Sequence, residues 1–87
     1  MSLSLATGKV AEYSGRLETL AGMMSQLEGE AQRSVKDPTA SKDIARQIQI
    51  VKTLYGMIKD FIEFWKEVIK STLALLKMFT ELAQGSR

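Results

Sequence analysis

Apolar side chains recur along the first part of the chain at alternating steps of three and four residues. The residues in this predicted seam are Val10, Tyr13, Leu17, Leu20, Met24, Leu27 and Ala31. Such steps keep side chains on one face of an α-helix, where a second helix can pack against them. The pattern therefore predicts an amphipathic helix over about residues 8–34.

A longer tract with the same spacing occupies the second half of the chain. We assign its seam to Ile44, Val51, Leu54, Ile58, Phe61, Trp65, Val68, Thr72, Leu75, Phe79 and Leu82, with the polar Gln47 in one early place. The tract predicts a helix over about residues 42–84, which would be about 65 Å long at 1.5 Å per residue. We expect Gly85 to end this helix and to leave a short tail.

The break between the two tracts is predicted over residues 36–41. Pro38 is the only proline in the chain, and its ring disfavours helical geometry at Asp37. Thr39 or Ser41 is expected to cap the second helix. Two such tracts joined by a short turn predict an all-α fold, in which residues 1–87 form one antiparallel helical hairpin with a long C-terminal helix.

The second helix carries more apolar positions than one partner helix can cover. Beside its seam runs a second row, which comprises Ile48, Tyr55, Ile62, Ile69, Leu76 and Ala83, and a patchier third row comprises Ile50, Met57, Phe64 and Met78. A two-helix seam uses about two positions in seven, whereas this helix offers three to four. The first helix is also the shorter one, so part of the second helix is expected to extend past it.

We therefore predict that the hairpin packs in an oligomeric bundle. The residues expected at a subunit or partner interface on the second helix are Tyr55, Ile62, Phe64, Ile69, Leu76 and Phe79. The alternative within one chain is a compact three-helix bundle, which would require the second helix to break near Gly56.

Four glycines follow one another at intervals of seven residues on the outer face of the first helix: Gly8, Gly15, Gly22 and Gly29. Each glycine inside a helix is about 0.8–1.0 kcal/mol less favourable than alanine. One interpretation is that a neighbouring subunit's helix lies along this smooth face, with Gly15 and Gly22 at the interface. The other is that the strip has no binding role.

The composition argues against chemistry. The chain has no cysteine and no histidine, and its formal net charge is only +2. The most common general base and metal ligand is therefore missing, and no phosphate-binding glycine loop is present. We predict no catalytic residues, no cofactor, no metal, no small-molecule substrate and no nucleic-acid partner. The N-terminal residues do not read as a Sec signal, and no transmembrane segment is predicted, which favours a cytoplasmic location or export by a route without such a signal.

Residues 37–78 carry several short motifs. They are Asp37-Pro38 at the turn, then Gln47, Gln49, Tyr55 and Ile58-Lys59-Asp60, and finally Leu75-Leu76-Lys77-Met78. Together these motifs resemble those of the small needle and inner-rod proteins of bacterial type III secretion systems, in which an Asn/Asp-Pro turn precedes the second helix and rod subunits carry a C-terminal motif similar to residues 75–78. The resemblance implies a helix–turn–helix subunit that polymerises into a tube through its C-terminal helix.

Three functions are consistent with these features. The first is a non-enzymatic structural subunit that associates with further copies of itself through residues 44–83. The second is a small chaperone or adaptor that binds the amphipathic helix of another protein. The third is an amphipathic helix that binds a membrane surface, which Asp60, Glu63 and Glu67 in the polar strip disfavour.

Overall fold

A computed structural model of the chain describes residues 2–85, which form two long α-helices joined by a tight turn. Helix α1 spans Leu3–Arg33 and helix α2 spans Pro38–Gly85. The two helices pack side by side and antiparallel in a rod that measures 77 × 16 × 14 Å. No strand occurs within residues 2–85, so the predicted all-α hairpin is confirmed. The predicted tail beyond Gly85 lies outside the described residues.

Helix α1 begins earlier than the sequence pattern predicts. The backbone N–H of Leu5 donates a hydrogen bond of 3.4 Å to the hydroxyl of Ser2, which caps the helix. Leu3 is half-buried and Ala6 is completely buried. These two positions extend the predicted seam by two further steps toward the N-terminus, and their burial accounts for the additional turn of helix.

Helix α2 also begins earlier, because Asp37 is its cap. The carboxylate Oδ1 of Asp37 accepts hydrogen bonds from the backbone N–H groups of Thr39 and Ala40, each at 3.2 Å. Pro38 is the first helical residue, where it loses no hydrogen bond and its fixed φ suits the helix. The expectation that Thr39 or Ser41 would cap α2 was wrong, and the turn is correspondingly shorter than predicted.

The buried core is a narrow line between the two helices. Leu20 and Leu27 of α1 pack with Ile44 and Val51 of α2. Half-buried side chains surround this cluster, namely Met24, Ala31, Ile48 and Ile58. Toward the other end of the contact, the rings of Tyr13 and Phe61 stack with their centroids 5.8 Å apart. The pairs run in opposite directions along the two helices, which fixes the antiparallel register.

The seam of α2 keeps the predicted residues Ile44, Val51 and Ile58 but departs from the prediction at positions between and after them. Ile62 was assigned to an outer interface, yet only 5% of its surface is exposed. Leu54 and Phe61 were assigned to the seam, yet they are 43% and 48% exposed. The predicted register put the polar Gln47 into the seam, whereas the observed one replaces it with Ile48. Burial of an aliphatic side chain instead of an amide favours the observed rotation of α2.

Helix α2 does not break at Gly56. It is continuous from Pro38 to Gly85, and the glycine lies on the exposed side. The compact three-helix bundle is therefore not the fold of this chain. The extra apolar surface of α2 stays on the outside of the hairpin.

The cap of α2 can be tested by Asp37→Ala. We expect the free energy of unfolding to fall by about 1 kcal/mol, because two N–H groups lose their acceptor. Urea denaturation at low protein concentration measures this change. Asp43→Ala is the matched control, since Asp43 is exposed and makes only a weak contact of 3.8 Å with Arg46; equal losses in both variants would contradict the assignment of Asp37.

The register of α2 can be tested by comparing Ile62→Ala with Leu54→Ala. We expect Ile62→Ala to lower the free energy of unfolding by about 2 kcal/mol or more, because it removes buried methyl groups and leaves a cavity. Leu54→Ala should lower it by less than half as much, since Leu54 is already largely exposed. A larger loss for Leu54→Ala than for Ile62→Ala would instead support the seam predicted from the sequence pattern.

Candidate interaction surfaces on the second helix

A continuous apolar stripe runs along the outside of α2 within the hairpin. We call it the outer stripe, and its members are Ile50, Leu54, Met57, Phe61 and Phe64. All five are exposed, each by roughly half of its surface. They follow one another at steps of four and three residues, which is the spacing of a helix-packing seam. The outer stripe is therefore a second seam that α1 leaves about half exposed.

Two aromatic contacts hold the C-terminal end of the outer stripe in place. Phe61 stacks on Tyr13, and the guanidinium of Arg16 lies 5.4 Å from the centre of the Tyr13 ring. Phe64 meets Trp65 edge to face, with ring centroids 5.3 Å apart. These contacts restrict the rotamers of both phenylalanines. This end of the stripe consequently presents two restrained aromatic rings to a partner.

Helix α2 continues well past the N-terminal end of α1. At 1.5 Å per residue its 48 residues extend about 72 Å, against about 46 Å for the 31 residues of α1. Thr72 is the last half-buried residue of α2, and every described residue from 73 to 85 is exposed. We call residues 73–85 the overhang. Its large exposed apolar side chains are Leu73, Leu75, Leu76, Met78, Phe79 and Leu82.

The structure separates the interface residues that the sequence predicted into three groups. Tyr55, Phe64, Leu76 and Phe79 are exposed, Ile69 is half-buried, and Ile62 lies in the core. The predicted seam residues Val10, Tyr13, Leu17, Met24, Ile58, Trp65 and Val68 are half-buried, and Leu20 and Leu27 are buried. Ile50 and Met57 were not assigned to an interface. Their signal was the unbroken four-and-three spacing from Ile50 through Phe64.

The glycine face of α1 is open in the hairpin. A methyl group added at Gly15 or Gly22 would meet nothing within 4 Å, whereas one at Gly29 would lie 3.3 Å from the guanidinium of Arg33. None of the glycines in the described chain has a positive φ, so the backbone does not require glycine at these positions. The predicted role of Gly15 and Gly22 in a subunit interface stays a prediction.

The polar side chains of the hairpin within residues 2–85 form short-range ion pairs along each helix. The ion pairs are local and exposed, as with Glu12, which lies 2.9 Å from Arg16 and 3.5 Å from Lys9. Such pairs contribute little to stability. No group of three or more acidic side chains in this part of the chain is arranged to hold a metal ion. The candidate interaction surfaces are the apolar outer stripe and the apolar overhang of α2.

Neither helix within the described residues contains a stretch that is long and apolar enough to cross a membrane. A search against protein-family models, curated proteins and solved structures found no match to this chain.

The open glycine face can be tested with Gly15→Ala and Gly22→Ala. Each substitution should raise the free energy of unfolding by about 0.8–1.0 kcal/mol, because alanine favours the helix and meets no neighbour. Urea denaturation of the dilute chain measures the gain. Gly29→Ala is the comparison, with a smaller gain expected because the Arg33 side chain must move. Destabilisation by Gly15→Ala and Gly22→Ala would show that the folded chain covers this face.

Proposed function

We propose that this chain is a non-enzymatic structural subunit that associates with further copies of itself through α2, as in the needle and inner-rod proteins that it resembles. The outer stripe carries this proposal. Its five members are exposed side by side along one face of a rod, whereas soluble monomers rarely leave so large a contiguous apolar surface uncovered.

The free energy available from the outer stripe is large for so small a chain. Complete burial of a leucine, isoleucine, methionine or phenylalanine side chain contributes roughly 1.5–3 kcal/mol. Because the five side chains are already about half covered, the burial that remains is worth roughly 4–7 kcal/mol per subunit. This is a gross gain, from which the loss of translational and rotational freedom on association is subtracted, so a single contact of this kind is expected to be concentration-dependent.

The spacing of the outer stripe favours another α-helix as the partner. Steps of four and three residues place knobs where a facing helix offers holes. The α2 helix of a second copy carries the same spacing, whereas the outward face of α1 is lined by glycines and polar residues. We therefore propose contact between α2 helices, with α1 on the outside of the assembly.

The resemblance to secretion subunits is consistent with this arrangement. The Asp37-Pro38 turn starts α2, and the Leu75-Leu76-Lys77-Met78 motif lies on its overhang. In the proposed assembly α2 forms the polymer core. The adaptor interpretation would use the same stripe for the helix of a different protein.

The proposed function predicts that Met57→Glu weakens self-association. Met57 is exposed in the centre of the outer stripe, so a carboxylate there would lose its water in the contact. We expect the concentration at half-association to rise by about tenfold or more, which corresponds to about 1.4 kcal/mol. Sedimentation velocity over a range of protein concentrations measures it.

Ala45→Glu is the matched control for this experiment. Ala45 is exposed on the side of α2 away from the outer stripe, and the substitution introduces the same charge. Both variants should keep the helix content of the unsubstituted chain in circular dichroism. Identical association of Met57→Glu and the unsubstituted chain would exclude the outer stripe as the contact.

A further inference from the structure

We propose that the overhang of α2 pairs antiparallel with the overhang of a second copy, about a two-fold axis at Phe79. This inference rests on the proposed self-association and adds a second, separate contact to it. The outer stripe lies beside α1 within the hairpin, whereas the overhang lies beyond the end of α1. The two surfaces can therefore be altered independently.

The apolar positions on the Phe79 face of the overhang are symmetric about Phe79, whereas Leu73 and Met78 lie to either side of that face. Leu75 and Leu76 lie four and three residues before it, and Leu82 and Ala83 lie three and four residues after it. A pattern that is the same in both directions presents the same face to an antiparallel copy of itself, which is the requirement for a two-fold contact. With Phe79 on the axis, Leu76 of one copy would lie beside Ala83 of the other.

The charges of the overhang are all on the other side of the helix. Lys77 and Glu81 lie two residues before and after Phe79, and steps of two residues point away from it at 100° per residue. Lys70, just before the overhang, lies on the same charged side. Antiparallel pairing would therefore bury no charge, and it would leave these three side chains in water.

The overhang continues the contact that α2 already makes with α1. The seam residues Ile62, Trp65, Ile69 and Thr72 are at least half-buried, and the same spacing carries on through Leu76, Phe79 and Ala83. The N-terminal end of α1 stops beside the last of the covered positions. A second overhang of the same length would fill the place next to it, so that α2 would be packed along its whole length.

The small area that this contact can bury predicts weak binding. Phe79 is the most exposed of the central side chains, at 65%. Two overhangs of about 20 Å in contact would bury on the order of 800–1,000 Å² in total, which is the low end for specific interfaces. Pairing of overhangs alone is consequently expected to be weak and to stop at a dimer, whereas a second contact through the outer stripe allows further growth.

The first test is Phe79→Glu in the full chain, followed by sedimentation velocity. Because the carboxylates of both copies would meet at the axis, we expect the concentration at half-association to rise by about tenfold or more. Ala74→Glu is the control, since Ala74 is exposed on the charged side of the overhang. Association of Phe79→Glu that equals that of Ala74→Glu would overturn the proposal.

The second test determines whether the two overhangs run antiparallel or parallel. Because the chain has no native cysteine, introduced cysteines can report which residues are adjacent. Equal amounts of Leu76→Cys and Ala83→Cys chains are mixed, oxidised and analysed by mass spectrometry. The antiparallel contact predicts mainly disulfides that join the two different variants. Disulfides mainly between identical variants would show a parallel, in-register contact and would overturn the proposal.

Different results would contradict the contact through the outer stripe and the contact through the overhang. If the outer stripe is the only contact, Met57→Glu weakens association and Phe79→Glu does not. If the overhang is the only contact, the unsubstituted chain stops at a dimer that Phe79→Glu dissociates and Met57→Glu leaves intact. An overhang that binds phosphatidylcholine–phosphatidylglycerol vesicles while the chain remains monomeric in solution would overturn the proposed pairing.

Discussion

The structure depends on an imbalance between its two helices. Helix α2 is both longer than α1 and apolar over a wider arc, so a single partner helix can cover only one of its faces and only part of its length. The buried line through Leu20, Leu27, Ile44 and Val51 uses most of what α1 can offer. Everything else that is apolar on α2 has to face the outside of the hairpin.

This imbalance connects the fold to the proposed function. Caps at Ser2 and Asp37 define the ends of the helices, the turn between them is short, and aromatic contacts restrain the phenylalanines of the outer stripe. The hairpin thus keeps α2 as one continuous helix and leaves its uncovered faces accessible. Such an arrangement suits a subunit that is stabilised further when neighbouring subunits bind to it.

Much of this architecture could be predicted from the sequence. The steps of three and four residues gave both helices, and Pro38 located the turn. The rotation of α2 was not predictable in the same way, because Phe61 and Ile62 are equally apolar and neighbouring rows share every second seam position. The rotation of α2 depends on whether Gln47 or Ile48 enters the core. This is decided by packing against α1 and not by the spacing of apolar residues within α2. The cap at Asp37 was missed because proline was taken as part of the break and not as the first helical residue.

The central claim is that the faces of α2 left uncovered by α1 are covered by further copies of the chain. Size-exclusion chromatography with light scattering, over a hundredfold range of protein concentration, tests it most directly. The account predicts a mass that rises with concentration well above the 9.7 kDa of one chain. A mass that stays at 9.7 kDa over the whole range, with full helix content, would contradict it.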